Sequence, residues 1–323
     1  MVKRTSARDR PRSDSSVSDW AGGRSAPDSN RNRLSPVDRF SGDHPTSGFH
    51  APPRLAGRTT ATRCQVPTPI RRELGTHPRA EIPSSLADVR TLVLQHIACE
   101  PPGIFEDVLH ERGAGLHRVE LDEGEPLPDW REFDAIVAMG GPMSATDDER
   151  LPWLAAEKQL IAEAVQADRP FWGVCLGVQL LAASLGARVY PGPAPEVGIL
   201  PVALTLDGLT DPVFAGLPRD LLTLQWHGDT FDMPHGAVRL AGSPAYPNQA
   251  FRYERAYGVQ FHLEVSAEMA REWARVPEYV ASLERMLGAE EAPAFLAAIE
   301  NRAPEMRIAG RALFERWLDH VVA

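Results

Sequence analysis

Cys175 stands in the run Pro170-Phe171-Trp172-Gly173-Val174-Cys175-Leu176-Gly177-Val178-Gln179, where a short apolar stretch ends and a helix-favouring one begins. A thiol between two glycines at that spacing fits a sharp strand-to-helix corner, where strand and helix come too close for side chains. At the head of a helix, the dipole and the free N–H groups favour thiolate. The plainer reading is a core cysteine, since free Cys is among the most buried residue types. The flanking glycines and the change of period weigh against it, and so does a base further along. In Gly258-Val259-Gln260-Phe261-His262-Leu263-Glu264 an apolar, strand-like run ends on a histidine, with a carboxylate two residues later. On extended backbone His262 and Glu264 point to one side, so the carboxylate can hold the imidazole. Cys175, His262 and Glu264 thus make a nucleophile, a base and its orienter, the set that covalent catalysis needs.

Positioning them falls to an α/β pattern that begins near Val89. Residues 91–96 form an apolar run of strand length, as in the first strand of a buried parallel sheet. Residues 105–112 read as a helix ending at Gly113, and 116–121 alternate like an edge-side strand. Residues 134–139 are the next buried strand and run into Gly140-Gly141-Pro142; an amphipathic helix over 153–167 follows, introduced by Pro152. Strands alternating with helices predict a doubly wound, mostly parallel sheet, with active groups at the C-terminal ends of the strands. Both Gly140-Gly141 and Cys175 fall at such ends. After Gly186, residues 191–195 read as a loop. Five shorter pieces, 199–206, 222–226, 238–241, 249–253 and 257–262, predict added antiparallel strands beside the parallel sheet. From Ser266 onward helical spacing predicts helices over 267–286 and 292–322, the second region broken at Pro304, with packing across the sheet or against a partner as their role.

Composition bounds the rest. With 323 residues, 43% hydrophobic and 24% charged, the chain has the make-up of an ordinary globular protein with room for one large or two small domains. A net charge of −10 argues against nucleic acid as a partner of the folded part. No run of eighteen apolar residues occurs, so no membrane span is expected. The three cysteines, Cys64, Cys99 and Cys175, lack metal-ligand spacing and imply a reducing, cytoplasmic setting without a disulfide framework or a metal. Cys64, Cys99, His235 and His320 have no partner pattern. No phosphate-loop or dinucleotide fingerprint appears, so no cofactor is expected. Residues 1–88 carry 15 Lys and Arg against 9 Asp and Glu, rich in Ser and Pro and without periodicity. They are expected to be disordered and carry no apolar secretory core. A product starting near Val89, at a non-Met codon, is a further expectation. The division expected is therefore 1–88 disordered, 89–265 an α/β domain, and 266–323 a helical extension packing on it.

Five ordered blocks make the chain from Val89 onward resemble the class I (triad) glutamine amidotransferases, in particular stand-alone proteins similar to the amidotransferase domain of GMP synthase. The blocks are Glu100-Pro101-Pro102-Gly103, Gly140-Gly141-Pro142-Met143-Ser144, Gly173 to Gln179, Trp226-His227-Gly228-Asp229 and Gly258 to Glu264. The resemblance departs at Leu263, where the family usually has proline. It implies a flavodoxin-like fold and hydrolysis of the glutamine side-chain amide. Cys175 would form a γ-glutamyl thioester, His262 would shuttle the proton and Glu264 would steady the ring. It assigns the oxyanion to the N–H groups of Gly141 and Leu176, and substrate contacts to Gly140, Gln179, His227 and Asp229, with Glu196 loosely at the same pocket. Simpler readings stand beside these: a plain turn for Gly140-Gly141-Pro142 and for residues 226–229, and a helix-surface position for Gln179. The implied partner is a synthase subunit that receives ammonia, since the chain has no room for an ATP-pyrophosphatase domain. Two other readings remain: a γ-glutamyl peptidase or hydrolase using the same triad, and a non-catalytic binding module that keeps the fold.

Overall fold

The apolar runs assemble into one mixed sheet whose parallel half carries the reactive corner. A computed structural model of the chain describes residues 86–288 and 290–323. The segment expected to be disordered therefore lies, except for residues 86–88, outside the described residues, as does Cys64. In chain order the elements are β1 (Arg90–Gln95), α1 (Ile104–Glu111), β2 (Gly115–Glu120), β3 (Ala135–Ala138), α2 (Trp153–Gln166), β4 (Phe171–Val174) and α3 (Leu176–Ser184). Then come β5 (Val189–Leu204), α4 (Leu206–Thr210), β6 (Asp220–Phe231), β7 (Val238–Gly242), β8 (Ala250–Tyr253), β9 (Ala256–Val259), α5 (Ala267–Trp273), α6 (Pro277–Leu287) and α7 (Ala292–Trp317). The strand order is β2-β1-β3-β4-β9-β8-β7-β5-β6. Strands β2, β1, β3, β4 and β9 are parallel; β8, β7, β5 and β6 add on antiparallel.

Both faces of the parallel half are covered, which is why its strands are apolar throughout rather than alternating. Leu92, Leu94, Ile136 and Ala138 point to the face covered by α2 and α3. Val93, Ala135, Val137 and Trp172 point to the other, covered by α1 and α7. There Phe105 stacks on Phe314 at 4.7 Å, and Trp172 meets Trp317 at 5.7 Å.

Four expectations need correction. Residues 257–262 were expected among the antiparallel additions, but β9 pairs parallel with β4, Gly173 opposite Gly258, and is antiparallel only to β8. A hairpin settles one neighbour of a strand; the other is chosen by the sheet. Residues 191–195 lie inside β5 as a bulge, the register against β6 shifting between Pro191 and Glu196. Residue 206 begins α4 instead of ending a strand. Pro304 does not break its helix: α7 runs through it, because Ile299, Ala303 and Met306 on either side are buried in the core. That burial outweighs the missing N–H, whose cost is about 3 kcal/mol. The stretch 267–286, by contrast, divides into α5 and α6, with Pro277 opening the second.

The corner after β4 is tight. A Cβ on Gly173 would lie 2.7 Å from the Gly177 backbone, and one on Gly177 would collide with the Ala138 carbonyl oxygen. With α3 held that close, the linking residue must reverse direction at once, and Cys175 takes φ 51° and ψ −102°. An L-residue pays roughly 1–3 kcal/mol for such backbone. Cys175→Gly is therefore expected to be more stable than Cys175→Ala by about 1 kcal/mol in urea unfolding, since both lack the thiol and only glycine accepts the torsion. Equal stabilities would show that the corner is unstrained.

Candidate active site

Cys175 sits at the N-terminus of α3, 7% exposed, with its N–H bonded to the Val259 carbonyl of β9 at 2.8 Å. The chain leaving β9 is pinned by β6: His262 and Leu224 exchange backbone hydrogen bonds at 2.9 and 3.1 Å. This brings the His262 ring beside Cys175, close enough for each group to shift the other's protonation. On its other side, His262 Nδ1 lies 2.7 Å from Glu264 Oε1. Glu264 Oε2 accepts the Leu263 N–H at 2.9 Å. A proline at 263 could not donate that bond, so the departure from the family pattern gives the carboxylate an extra donor. Cysteine, histidine and glutamate are thus neighbours, and all three are buried.

Burial shapes their protonation. The Cys175 thiol is pushed above its ordinary pKa by burial, with the hydrogen bond and charge of His262 pulling the other way. Burial also opposes charge on His262, but the Glu264 carboxylate, together with the cysteine, holds the ring well above its ordinary value. Burial thus opposes the thiolate that a helix terminus favours.

The remaining candidates are placed as follows. Gly140 and Gly141 follow β3. A Cβ on Gly140 would come within 3.3 Å of His262 Cε1 and strike the Glu100 carboxylate, and one on Gly141 would come within 3.2 Å of Leu176 Cδ2. Leu176, first residue of α3, has by helix geometry no intrahelical partner for its N–H. Gln179 is buried, not on the helix surface, and its Nε2 donates to Gln260 Oε1 at 3.1 Å. Gln260 Nε2 in turn donates to Cys175 Sγ at 3.5 Å. Gln179 thus reaches the sulfur through a second glutamine. His227 and Asp229 lie on β6, not in a plain turn: His227 Nε2 is 3.2 Å from Glu196 Oε2, and Asp229 Oδ2 accepts the Ser144 hydroxyl at 2.8 Å. Ser144 belongs to the Gly140-Gly141 loop, so Asp229 is tied to that loop.

Sequence reasoning missed several neighbours. Glu100 and Gln260 lay within quoted motif blocks, which was the available signal. Glu100 is fully buried, held by the Tyr279 hydroxyl at Oε1, and Oε2 has no hydrogen-bond partner. Trp273 packs edge-on against the His262 ring at 4.9 Å. Tyr279 and Trp273 come from the C-terminal helices, so those helices wall the site as well as covering the sheet. Nothing in their amphipathic pattern marked them. The thiol of Cys99 is pushed up to about 12 by burial and by Glu100.

The comparisons with known proteins follow this geometry. A family model described as glutamine amidotransferase class-I matches residues 105–273. The chain belongs to the class I glutamine amidotransferases. It is 36% identical over 185 residues to the glutamine amidotransferase-like protein YfeJ of Salmonella typhimurium, covering 56% of this chain and 77% of that one. It is 30% identical to a glutamine-hydrolysing GMP synthase subunit of Archaeoglobus fulgidus, across 50% of this chain and 85% of the relative. Of the longer GMP synthase of Thermomicrobium roseum it spans 23%. Among solved structures, a glutamine amidotransferase from Thermotoga maritima superposes with a TM-score of 0.65 at 36% identity, covering 72% of this chain and 98% of the other. Another, from Methylobacillus flagellatus, gives 0.63 at 32% identity, across 71% and 94%. No helix among the described residues is long and apolar enough to cross a membrane.

Glu100 carries a pH signature. Its carboxyl is pushed from 4.5 up to about 7, by burial first and then by the Glu264 charge, against the pull of His262 and His96. The folded chain therefore holds this proton more tightly than the unfolded chain does. The group's contribution is complete below about 4.5 and fades as pH rises towards 7, a loss of about 3 kcal/mol. Urea unfolding at pH 5 and pH 8 should show the wild type losing more stability between the two than Glu100→Gln, by about that amount. An equal loss in both would mean that Glu100 ionises normally.

Proposed function

We propose that the chain hydrolyses the side-chain amide of glutamine through a γ-glutamyl thioester on Cys175 and releases ammonia to a separate acceptor enzyme. The observation that carries this is His262 lying between the Cys175 thiol and the Glu264 carboxylate, with the 2.7 Å bond at Nδ1 leaving the other ring nitrogen for the sulfur. In this reading sulfur attacks the amide carbon as thiolate while the Cys175 proton resides on His262. The oxyanion forms against the N–H groups of Gly141 and Leu176. His262 then returns the proton to the departing nitrogen, and ammonia leaves. A water, deprotonated by His262, attacks the thioester, and glutamate departs as the thiol is restored. Glu264 holds the ring's tautomer and stabilises the imidazolium at both stages. Gln179 acts through Gln260 on the sulfur side, while His227 and Asp229 shape the rim of the substrate pocket together with Gly140. The naming of relatives as glutamine-hydrolysing GMP synthase subunits supports a synthase chain as the ammonia acceptor.

Incubating the purified chain with glutamine and with γ-glutamyl dipeptides tests this. Ammonia from glutamine is expected, and Cys175→Ala should abolish it. Amino acid released from the dipeptides, with glutamine untouched, would replace this reading by that of a γ-glutamyl peptidase. No turnover of either, with Cys175 inert to a glutamine-analogue alkylator, would leave a binding module. Glu264→Gln should keep the fold and lower kcat by about 10³–10⁴-fold, because an amide cannot sustain the required tautomer. A loss under tenfold would remove Glu264 from the mechanism.

A further inference from the structure

A second buried histidine–glutamate pair lies behind the Gly140-Gly141 loop, and the mechanism above does not use it. His96, just past the end of β1, and Glu157, on α2, are both fully buried. His96 Nε2 is 2.9 Å from Glu157 Oε1, and His96 Nδ1 is 3.1 Å from the Gly140 carbonyl oxygen. A carbonyl can only accept, so Nδ1 carries hydrogen. The proton between Nε2 and the carboxylate then makes the pair either imidazolium with carboxylate or imidazole with carboxylic acid. Both states leave the Nδ1–H pointing at Gly140. Burial disfavours a charged ring, but the Glu157 carboxylate outweighs it and raises the His96 pKa. The ring itself is clamped by Trp153, stacked on it at 5.8 Å and 16°.

What this bond acts on is the Gly140–Gly141 peptide. The described residues contain no cis peptide bond, and in a trans peptide the C=O and the following N–H point in opposite directions. Drawing the Gly140 carbonyl towards His96 therefore turns the Gly141 N–H away from β1. With glycine at both positions, no side chain restrains this peptide, and it can flip at little cost. Gly141 N–H donates to no backbone carbonyl of a turn or loop among the described residues. His96 also sits directly behind it: a Cβ on Gly141 would come within 3.0 Å of His96 Cβ.

We propose that the buried His96–Glu157 pair is a positioning device that locks the Gly140–Gly141 peptide with its N–H presented as an oxyanion donor. This rests on the thioester reading above. His96 touches neither substrate nor sulfur in this role; it acts through the peptide.

The test separates oxyanion stabilisation from thiol activation. Alkylation of Cys175 by iodoacetamide displaces iodide at a saturated carbon and forms no oxyanion, whereas acyl transfer from glutamine or a γ-glutamyl anilide does. His96→Leu removes the donor. It should lower kcat by about 100-fold, change KM less than about threefold, and leave the rate of iodoacetamide alkylation within about twofold. His96→Asn puts an amide N–H close to the place of Nδ1, so kcat should recover to within about tenfold of wild type. A His96→Leu chain with wild-type kcat would overturn the proposal, and so would alkylation falling in step with kcat, or His96→Asn being as impaired as His96→Leu. If His96→Leu fails to fold, His96→Asn compared with Glu157→Gln decides: both should keep the Gly140 bond and more than about a tenth of kcat, and a collapse of either refutes the device. A wild-type chain that acylates with no γ-glutamyl compound, yet alkylates normally, would sink the thioester reading and this proposal with it. An active wild type with an indifferent His96 would sink this one alone.

Discussion

How closely α3 lies on the sheet is the constraint from which the site follows. Gly173 and Gly177 have no space for a Cβ, and one on Gly258 would strike Val178 of the same helix. The helix can start at this height only if the chain turns at a single residue, and that residue is Cys175 in left-handed backbone. The corner is then tied on both sides. The Cys175 N–H bonds to Val259 of β9, and the Gly177 N–H bonds to Met139 at the end of β3 at 3.1 Å. The same two strands lead to His262 and to Gly140-Gly141. One close packing contact thus brings the proposed nucleophile, its proposed base and the loop of the proposed oxyanion donor to the same end of the sheet, where strands in this architecture deliver their functional groups.

Burial imposes the second organising rule. Ionisable groups out of water must be paired or lose their charge, and the buried histidines among the described residues obey: His262 with Glu264, His96 with Glu157, His227 with Glu196. Glu100, which has a tyrosine instead of a cation, meets the rule by staying protonated further up the pH scale. The result is a buried site in which few water dipoles compete with the protein's own groups. Electrostatic interactions are strong in such a place, which suits the proposed reaction, with its imidazolium and its oxyanion.

The C-terminal helices change what the site is made of. As an amphipathic pattern they promised packing, and they do pack: Trp226 of β6 meets Trp273, Tyr279 and Phe295, one residue from each of α5, α6 and α7. That aromatic cluster also brings Trp273 onto the His262 ring and Tyr279 onto Glu100. Helices α1 and α7 are joined by Arg307 with Asp107 and Arg311 with Glu111, solvent-screened pairs that add little. The apolar contacts around Trp172 and Phe314 do the holding.

The amino-acid order by itself determined the local pieces: the strands of the parallel half, the glycine-flanked corner, and the shared side of His262 and Glu264. Each depends on periodicity or on short spacing, and such information is local. The tertiary structure decided what meets across long separations. The parallel pairing of β9 with β4 puts position 262 beside position 175, the packing of Ile299 and Met306 keeps α7 helical through Pro304, and His96 finds Glu157 only because β1 and α2 share a face. Gln179 shows the boundary well: its helical spacing from Cys175 was legible, but its contact through Gln260 was not. A side chain's partner is set by the summed packing of elements distant in sequence, and no window along the chain contains that sum.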